Sequence, residues 1–294
     1  MATLRELKGR IGSVKSSEKI TGAMKMISSA KMRKAEGALR RLVPYRNQVQ
    51  TIIGHLLSSD AQCVSPLAEK REVSNVALLV FGSDDGLCGA YNAQIFKTLL
   101  STLNGLRAQY GEGVHYTVFP IGKKAHLVTS KLASDTISVV HDCPLNTRSS
   151  LSDIKQFTEF VKAEFTGCKF DRVLSVYTHF KSMSRQVPTV EELLPLEPQK
   201  LLPEGQAEAN KPYLFEPDAA SIFNTVLPLY VLSVMQQYFA ENSASEQAAR
   251  VIAMQSANDN AKKLLEELQL EYNKLRQQSI TTELLDILGG QKRD

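Results

Sequence analysis

The chain has 294 residues, 43% of them hydrophobic and 22% charged, with 35 Lys and Arg against 31 Asp and Glu. That composition fits one or two folded domains and excludes a disordered chain, and with no run of about 20 apolar residues no membrane-crossing helix is expected. Four cysteines, Cys63, Cys88, Cys143 and Cys168, lie without C-x-x-C spacing, which argues against a zinc site or a disulfide framework and fits a reducing compartment.

The net charge of +4 hides an asymmetry. Residues 1 to 46 carry twelve Lys or Arg against Glu6, Glu18 and Glu36, a local balance of +9 that leaves −5 for the rest. Such a basic segment is a solvated face, or meets nucleic acid, anionic lipid or an acidic protein. Aromatic residues are absent until Tyr45, so base stacking is not advertised.

In chain order, residues 1–58 read as a long helix. Leu4, Leu7, Ile11 and Val14 are spaced by threes and fours. Ile20, Met24 and Ile27 are expected to resume the stripe after the polar Ser16–Lys19. Gly9, Gly12, Gly22 and Gly37 lower helix propensity by about 1 kcal/mol each relative to Ala, through either close backbone approach or flexibility. Pro44 is expected to bend or restart the helix. The first residues lack the apolar core of a secretory signal and do not resemble a transit peptide.

Residues 74–196 alternate. Strands are expected at 75–83, 115–122, 136–140 and 171–180, with a possible edge strand after Pro188. Helices are expected at 91–111, 121–134 and 150–167. Strand–helix alternation argues for a layered α/β domain with a largely parallel sheet. A Pro- and Glu-rich stretch, 197–217, reads as a linker. From 218 onward one proline, Pro228, and no glycine interrupt the sequence before Gly289. Met254, Ala257, Ala261, Leu264, Leu268, Tyr272 and Leu275 form a heptad-like stripe. About 70 helical residues at 1.5 Å each would span about 105 Å, too long to hide in one domain. The simplest partner for this stripe is the N-terminal helix, paired antiparallel.

The best candidate for chemistry is residues 81–92, FGSDDGLCGAYN, because glycines between a strand and a helix can cradle phosphate. It matches neither G-x-G-x-x-G nor the P-loop, and Asp84 and Asp85 would repel an anion. The alternative is a tight turn with Asp85 or Asn92 capping the helix. No spacing brings His115, His126, His141 or His179 to Cys88 as a base, and the paired acids Glu191–Glu192 and Glu266–Glu267 read as solvated. No catalytic constellation emerges.

Several motifs together carry a family. Residues 20–34, ITGAMKMISSAKMRK, the turn SDDGLCGAYN at 83–92, QVPTVEELLPL at 186–196, YLFEPD at 213–218, and the segments 241–261 and 267–290 resemble the gamma subunit of F-type ATP synthases nearly end to end. Departures are small: Asp85 stands where Arg is usual, and Gln291 where Ala is common. The resemblance implies an α/β fold with long helices, in which a Rossmann-like domain with a mostly parallel sheet is inserted into an antiparallel coiled coil of the two termini. It implies a noncatalytic central rotor stalk coupling proton flow to ATP synthesis or hydrolysis. Its partners would be the alpha and beta subunits of the hexamer, the epsilon subunit and the ring of c subunits, with no nucleic acid and no cofactor or metal of its own. The expected place is the cytoplasmic face of a bacterial inner membrane. The resemblance further implies that Met24, Lys25, Lys31, Arg33 and Lys34 lie near an acidic loop of the beta subunits, and that Arg250, Gln277, Thr281 and Glu283 contact the hexamer. Tyr213 and Glu216 would lie near the foot. A nucleotide-using enzyme built on the 81–92 turn and a basic coiled-coil protein that binds nucleic acid are the competing readings.

Overall fold

The computed structural model describes residues 3–57, 64–197 and 215–290. The chain divides into two compact units, residues 1–29 with 250–294, and residues 30–249. Two helices, α1 (Leu4–Leu57) and α5 (Ala219–Gly290), each contribute to both.

The larger unit is built on a five-stranded sheet of β1 (Asn75–Phe81), β2 (His115–Ile121), β3 (Ile137–Val139), β4 (Arg172–Ser182) and β5 (Arg185–Leu194). The spatial order is β3-β2-β1-β4-β5, with the first four strands parallel and β5 antiparallel to β4. Side chains alternate between faces, as a pleated strand requires. Val76, Leu78 and Val80 of β1 pack with Leu174 and Val176 of β4 against Ile95, Leu99 and Leu103 of α2 (Tyr91–Tyr110). Ala77, Leu79 and Phe81 face the opposite layer. There they meet Phe157, Val161 and Phe165 of α4 (Leu151–Thr166), Ile53 of α1, and Phe223, Leu227, Val231 and Met235 of α5. A sheet covered on both sides needs strands without a polar face, which is why β1 reads as one apolar run.

Local signals explain the element ends. Helix α4 starts at a capping box in which Asp153 N–H donates to Ser150 Oγ and Ser150 N–H donates to the Asp153 carboxylate. Helix α5 starts on Asp218, whose carboxylate accepts from the Ser221 amide at 2.8 Å. The short α3 (Lys123–Thr129) follows β2 directly. Strand β5 begins before Pro188 rather than after it, and Pro188 pairs with Thr178 inside the ladder. A proline is tolerated there because β5 is an edge strand and the missing N–H faces outward.

Pro44 does not restart α1, which runs through it as one helix. The carbonyl that its ring leaves unpaired belongs to Arg40, an exposed residue. Pro228 is likewise inside α5. One 18-residue window of α5 also reaches a mean hydropathy of 1.4, enough by composition to cross a membrane, although 44% of it is buried within the protein. The run is interrupted by single polar residues, so an unbroken-stretch criterion missed it; its buried members Phe223, Leu227, Val231 and Met235 face the sheet.

In the smaller unit α1 and α5 pair through a heptad seam. On α1 the inward positions are Leu4, Leu7, Ile11, Val14, Glu18, Thr21, Lys25 and Ser28, an unbroken alternation of threes and fours. On α5 they are Val251, Met254, Asn258, Ala261, Leu265, Leu268, Tyr272 and Leu275. Asn258 Nδ2 donates to the Glu18 carbonyl at 2.7 Å and to Thr21 Oγ1 at 3.3 Å. With that pair fixed, only antiparallel helices bring buried Leu7 and Leu268 together, eleven residues before Glu18 and ten after Asn258.

Two expectations fail here. Ile20 and Ile27 are 59% and 56% exposed, so they do not continue the stripe. Polar residues 18, 21, 25 and 28 carry the seam in phase because Asn258 and Thr21 satisfy the local polar groups. Leu264 is 45% exposed, and Leu265 takes its place. Of the N-terminal glycines only Gly22 meets a neighbour, with Asn258 Nδ2 3.4 Å from where a Cβ would stand; Gly9, Gly12 and Gly37 face open space.

Candidate functional site

In a sheet ordered β3-β2-β1-β4, the chain leaves β1 toward β2 on one side and returns to β4 on the other. The crevice beyond the carboxyl ends of β1 and β4 is therefore the switch point where such sheets take ligands. The 82–90 turn lies there.

Here α5 fills that crevice. Asn242 Nδ2 donates to the Gly82 carbonyl at 3.0 Å, and its Oδ1 accepts from Tyr91 Oη at 2.5 Å. Ser245 Oγ donates to the Thr178 carbonyl at the end of β4 at 3.0 Å. His179 Nδ1 lies 2.5 Å from Glu241 Oε2, and Gln237 Nε2 donates to Glu241 Oε1 at 2.6 Å. Glu241, Asn242 and Ser245 are all at most 3% exposed. Phe81 at the tip of β1 packs edge-on against Phe239 of the same helix, with centroids 5.0 Å apart.

The turn itself is organised around its own carboxylate. Asp84 accepts from the amides of Lys123 and Thr147, both at 3.1 Å, and from Thr147 Oγ1 at 2.5 Å. Those N–H groups are the kind a phosphate would need, and a fixed anion already holds them. Neither Asp85 nor Asn92 caps α2, whose N-cap is Ala90 with no side-chain bond. Asn92 bonds Ser83 and Cys88 inside the turn, and Asp85 pairs with Arg148. Asp85, the position where the resembling family carries Arg, thus meets an Arg across the loop. Cys88 is 3% exposed, enclosed by Ser83 and Asn92. His126 and His141 lie beside each other, 3.2 Å apart, and His179 is engaged by Glu241.

Glu191 and Glu192 are not simply solvated. Glu191 accepts from Tyr177 Oη at 2.8 Å and Tyr238 Oη at 2.9 Å, and Glu192 pairs with Arg172. Burial pushes both tyrosines well above their ordinary range, with the Glu191 charge adding to it.

Among residues expected to touch partners, Lys31, Arg33 and Lys34 are exposed on α1, while Met24 and Lys25 are half-buried, Lys25 in the seam. Lys31 and Lys34 share a groove of about 690 Å³ with Arg148, Leu151, Phe239 and Glu246; Arg33 does not line it. Gln277, Thr281 and Glu283 are exposed on the smaller unit's α5 segment. Thr281 Oγ1 donates to the Gln277 carbonyl at 2.9 Å, and Glu283 accepts from Ser279 at 3.4 Å. Arg250 is 5% exposed and so does not present a free side chain on the surface of the isolated chain. Glu216 is exposed just before α5; Tyr213 lies outside the described residues. The crevice residues His179, Glu241, Asn242 and Ser245 were not foreseen. The mostly polar run 241–247, following the apolar first turns of α5, was their visible signal.

A heptad seam between α1 and α5, and a sheet whose switch crevice is filled by α5, set out the geometry of a helix-paired subunit. A family model described as ATP synthase matches residues 3–292. The gamma chain of ATP synthase from Parabacteroides distasonis is 40% identical, over 99% of this chain and 98% of that one. The gamma chain from Bacteroides thetaiotaomicron is 37% identical over 99% of both. The chain belongs to the ATP synthase gamma-chain family. Its fold is similar to a chain in the Euglena gracilis mitochondrial ATP synthase OSCP/F1/c-ring assembly, with TM-score 0.61 and 20% identity over 98% of this chain and 93% of that one. A chain of the Tetrahymena thermophila central stalk and c-ring structure gives TM-score 0.54 and 24% identity, over 81% and 99%.

Proposed function

We propose that this chain is the noncatalytic central stalk of a rotary, proton-translocating ATP synthase at the cytoplasmic face of a bacterial inner membrane. The observation that carries the reading is the unbroken family relation over both terminal helices and the sheet at 37–40% identity. The paired helices enter a hexamer of alpha and beta subunits, and the sheet unit lies toward the epsilon subunit and the ring of c subunits. Chemistry stays on the beta subunits. The chain's work is to present a different face to each catalytic site, so that each orientation shifts one site's affinity and, reciprocally, nucleotide state biases the orientation.

The exposed basic side chains Lys31, Arg33 and Lys34 suit an acidic loop on the beta subunits, and Met24 and Lys25 lie on the same helix. Gln277, Thr281 and Glu283 offer hydrogen-bonding groups to the hexamer near the C-terminus. Arg250 contributes by fixing its helix, and Tyr213 and Glu216 belong to the foot. The proposed division of the chain is 1–58 and 218–294 for the two long helices, of which 1–29 and 250–294 form the paired seam, 74–196 for the α/β domain and 197–217 for the linker.

The test is co-expression with cognate alpha and beta subunits. Native mass spectrometry is expected to give one copy per three alpha and three beta, and a probe on the chain is expected to step under ATP. Folded partners that do not assemble with it would sink the proposal.

A further inference from the structure

Resting on the stalk reading, we propose that Glu241, Asn242 and Ser245 form a rotational lock that fixes the sheet to α5, so that the sheet unit turns with its helix instead of slipping around it. The need is physical. Apart from these residues and Tyr238, whose hydroxyl donates to Glu191 of β5 at 2.9 Å, the contact of α5 with the sheet face is largely apolar, through Phe223, Leu227, Val231, Val234 and Met235. Dispersion and burial are non-directional, so a face of this kind resists separation more than it resists rotation or axial sliding.

The polar set supplies direction. Its members sit at helix positions 241, 242 and 245, on one side of α5 by the i, i+4 rule. They reach three different elements: Asn242 takes the Gly82 carbonyl after β1 and the Tyr91 hydroxyl on the first turn of α2, Ser245 takes the Thr178 carbonyl of β4, and Glu241 takes His179 of β4. The anchor points lie on both strands that border the switch crevice. A turn of α5 in either sense breaks bonds on one border or the other. Each broken bond leaves a buried group unsatisfied, so the penalty rises steeply with angle. A polar network of this sort specifies one arrangement among many that an apolar face would accept.

The lock faces the charged and titratable groups Glu191 and Tyr177 on its sheet side, while Tyr238 and Gln237 of α5 itself bond Glu191 and Glu241 from the preceding turn. Glu241, Asn242 and Ser245 are positioning residues.

The experiment uses the chain assembled with its cognate alpha and beta subunits, the hexamer fixed to a surface. A rotation probe sits on exposed Cys168 at the end of α4, in a Cys63→Ser, Cys143→Ser background that leaves buried Cys88 untouched. In Asn242→Ala with Ser245→Ala the angular spread of the probe during pauses is expected to widen about twofold, as a contact loses most of its directional restraints, with the rate of ATP hydrolysis unchanged. Asn242→Asp, which still accepts from Tyr91 but cannot donate to Gly82, is expected to fall between. Should the double variant not assemble, Tyr91→Phe and Ser245→Ala singly each remove one bond at nearly constant volume and are read the same way. A lowered melting temperature with unchanged angular spread would show a merely stabilising role and overturn the lock. A wild-type probe that does not rotate at all would instead overturn the stalk reading.

Discussion

Gly82 shows how closely the turn after β1 is built. A Cβ placed on it would stand 2.7 Å from Ala125 Cβ and 3.2 Å from the Ala125 amide nitrogen, both on or within α3. The nearest atom is a Cβ fixed directly to the α3 backbone, so it cannot swing away. Gly82→Ala is expected to cost about 1–3 kcal/mol through overpacking, read as a lower urea midpoint of the isolated chain. The tyrosines of the sheet face offer a second residue-scale prediction. Burial raises Tyr116, Tyr177, Tyr230 and Tyr238 above the ordinary value of 10.0. In the unfolded chain they ionise near that value, while in the folded chain they hold their protons. The stability they contribute is therefore complete below pH 10 and is lost as pH rises beyond it, by about 1 kcal/mol per pH unit for each such group. Urea midpoints at pH 8 and pH 11 check this, and Tyr177→Phe is expected to flatten the alkaline fall. The glycines and acids of this turn were legible as a turn, because glycine after a strand has few other uses. Which amides Asp84 would hold was not legible, since Lys123 and Thr147 lie 39 and 63 residues away.

At the scale of elements, spacing revealed the two long helices and the strand–helix alternation, because periodicity follows directly from backbone geometry. Phase was harder. Apolar Ile20, Met24 and Ile27 drew the stripe onto the outer face of α1, whereas the seam runs through Glu18, Thr21, Lys25 and Ser28. A polar residue at a seam position is invisible to an apolar template until its partner is known, and Asn258 lies 240 residues from Glu18. The same ambiguity between adjacent leucines gives a test. Leu268, 8% exposed, is expected to lose about 2–3 kcal/mol on change to Ala. Leu264, 45% exposed, is expected to change stability by less than about 0.5 kcal/mol. Helix content followed by circular dichroism through urea unfolding distinguishes them; equal losses would contradict the seam.

For the molecule as a whole, the two compact units differ in what their stability draws on. The sheet unit has apolar layers on both faces and the smaller unit a single seam. Beyond Ser279 every described side chain of α5 is exposed, Ile280, Leu284, Leu285, Ile287 and Leu288 among them. Removing residues 277–294 is therefore expected to leave the circular dichroism and melting of the sheet unit unchanged while weakening assembly with the hexamer. Loss of the sheet's cooperative melting would contradict this.

The bond from Asn258 to Glu18 also sets an order in time. On the ribosome α1 emerges with its seam bare, and Asn258, which bonds Glu18 across it, follows 240 residues later. At about 5–20 residues per second that interval is on the order of ten to fifty seconds. Closing so long a chain segment is slow by the same topology that slows other non-local contacts. Helix α1 must spend that interval without a mate. The seam is thus a record of progress: only a chain translated through α5 can close it.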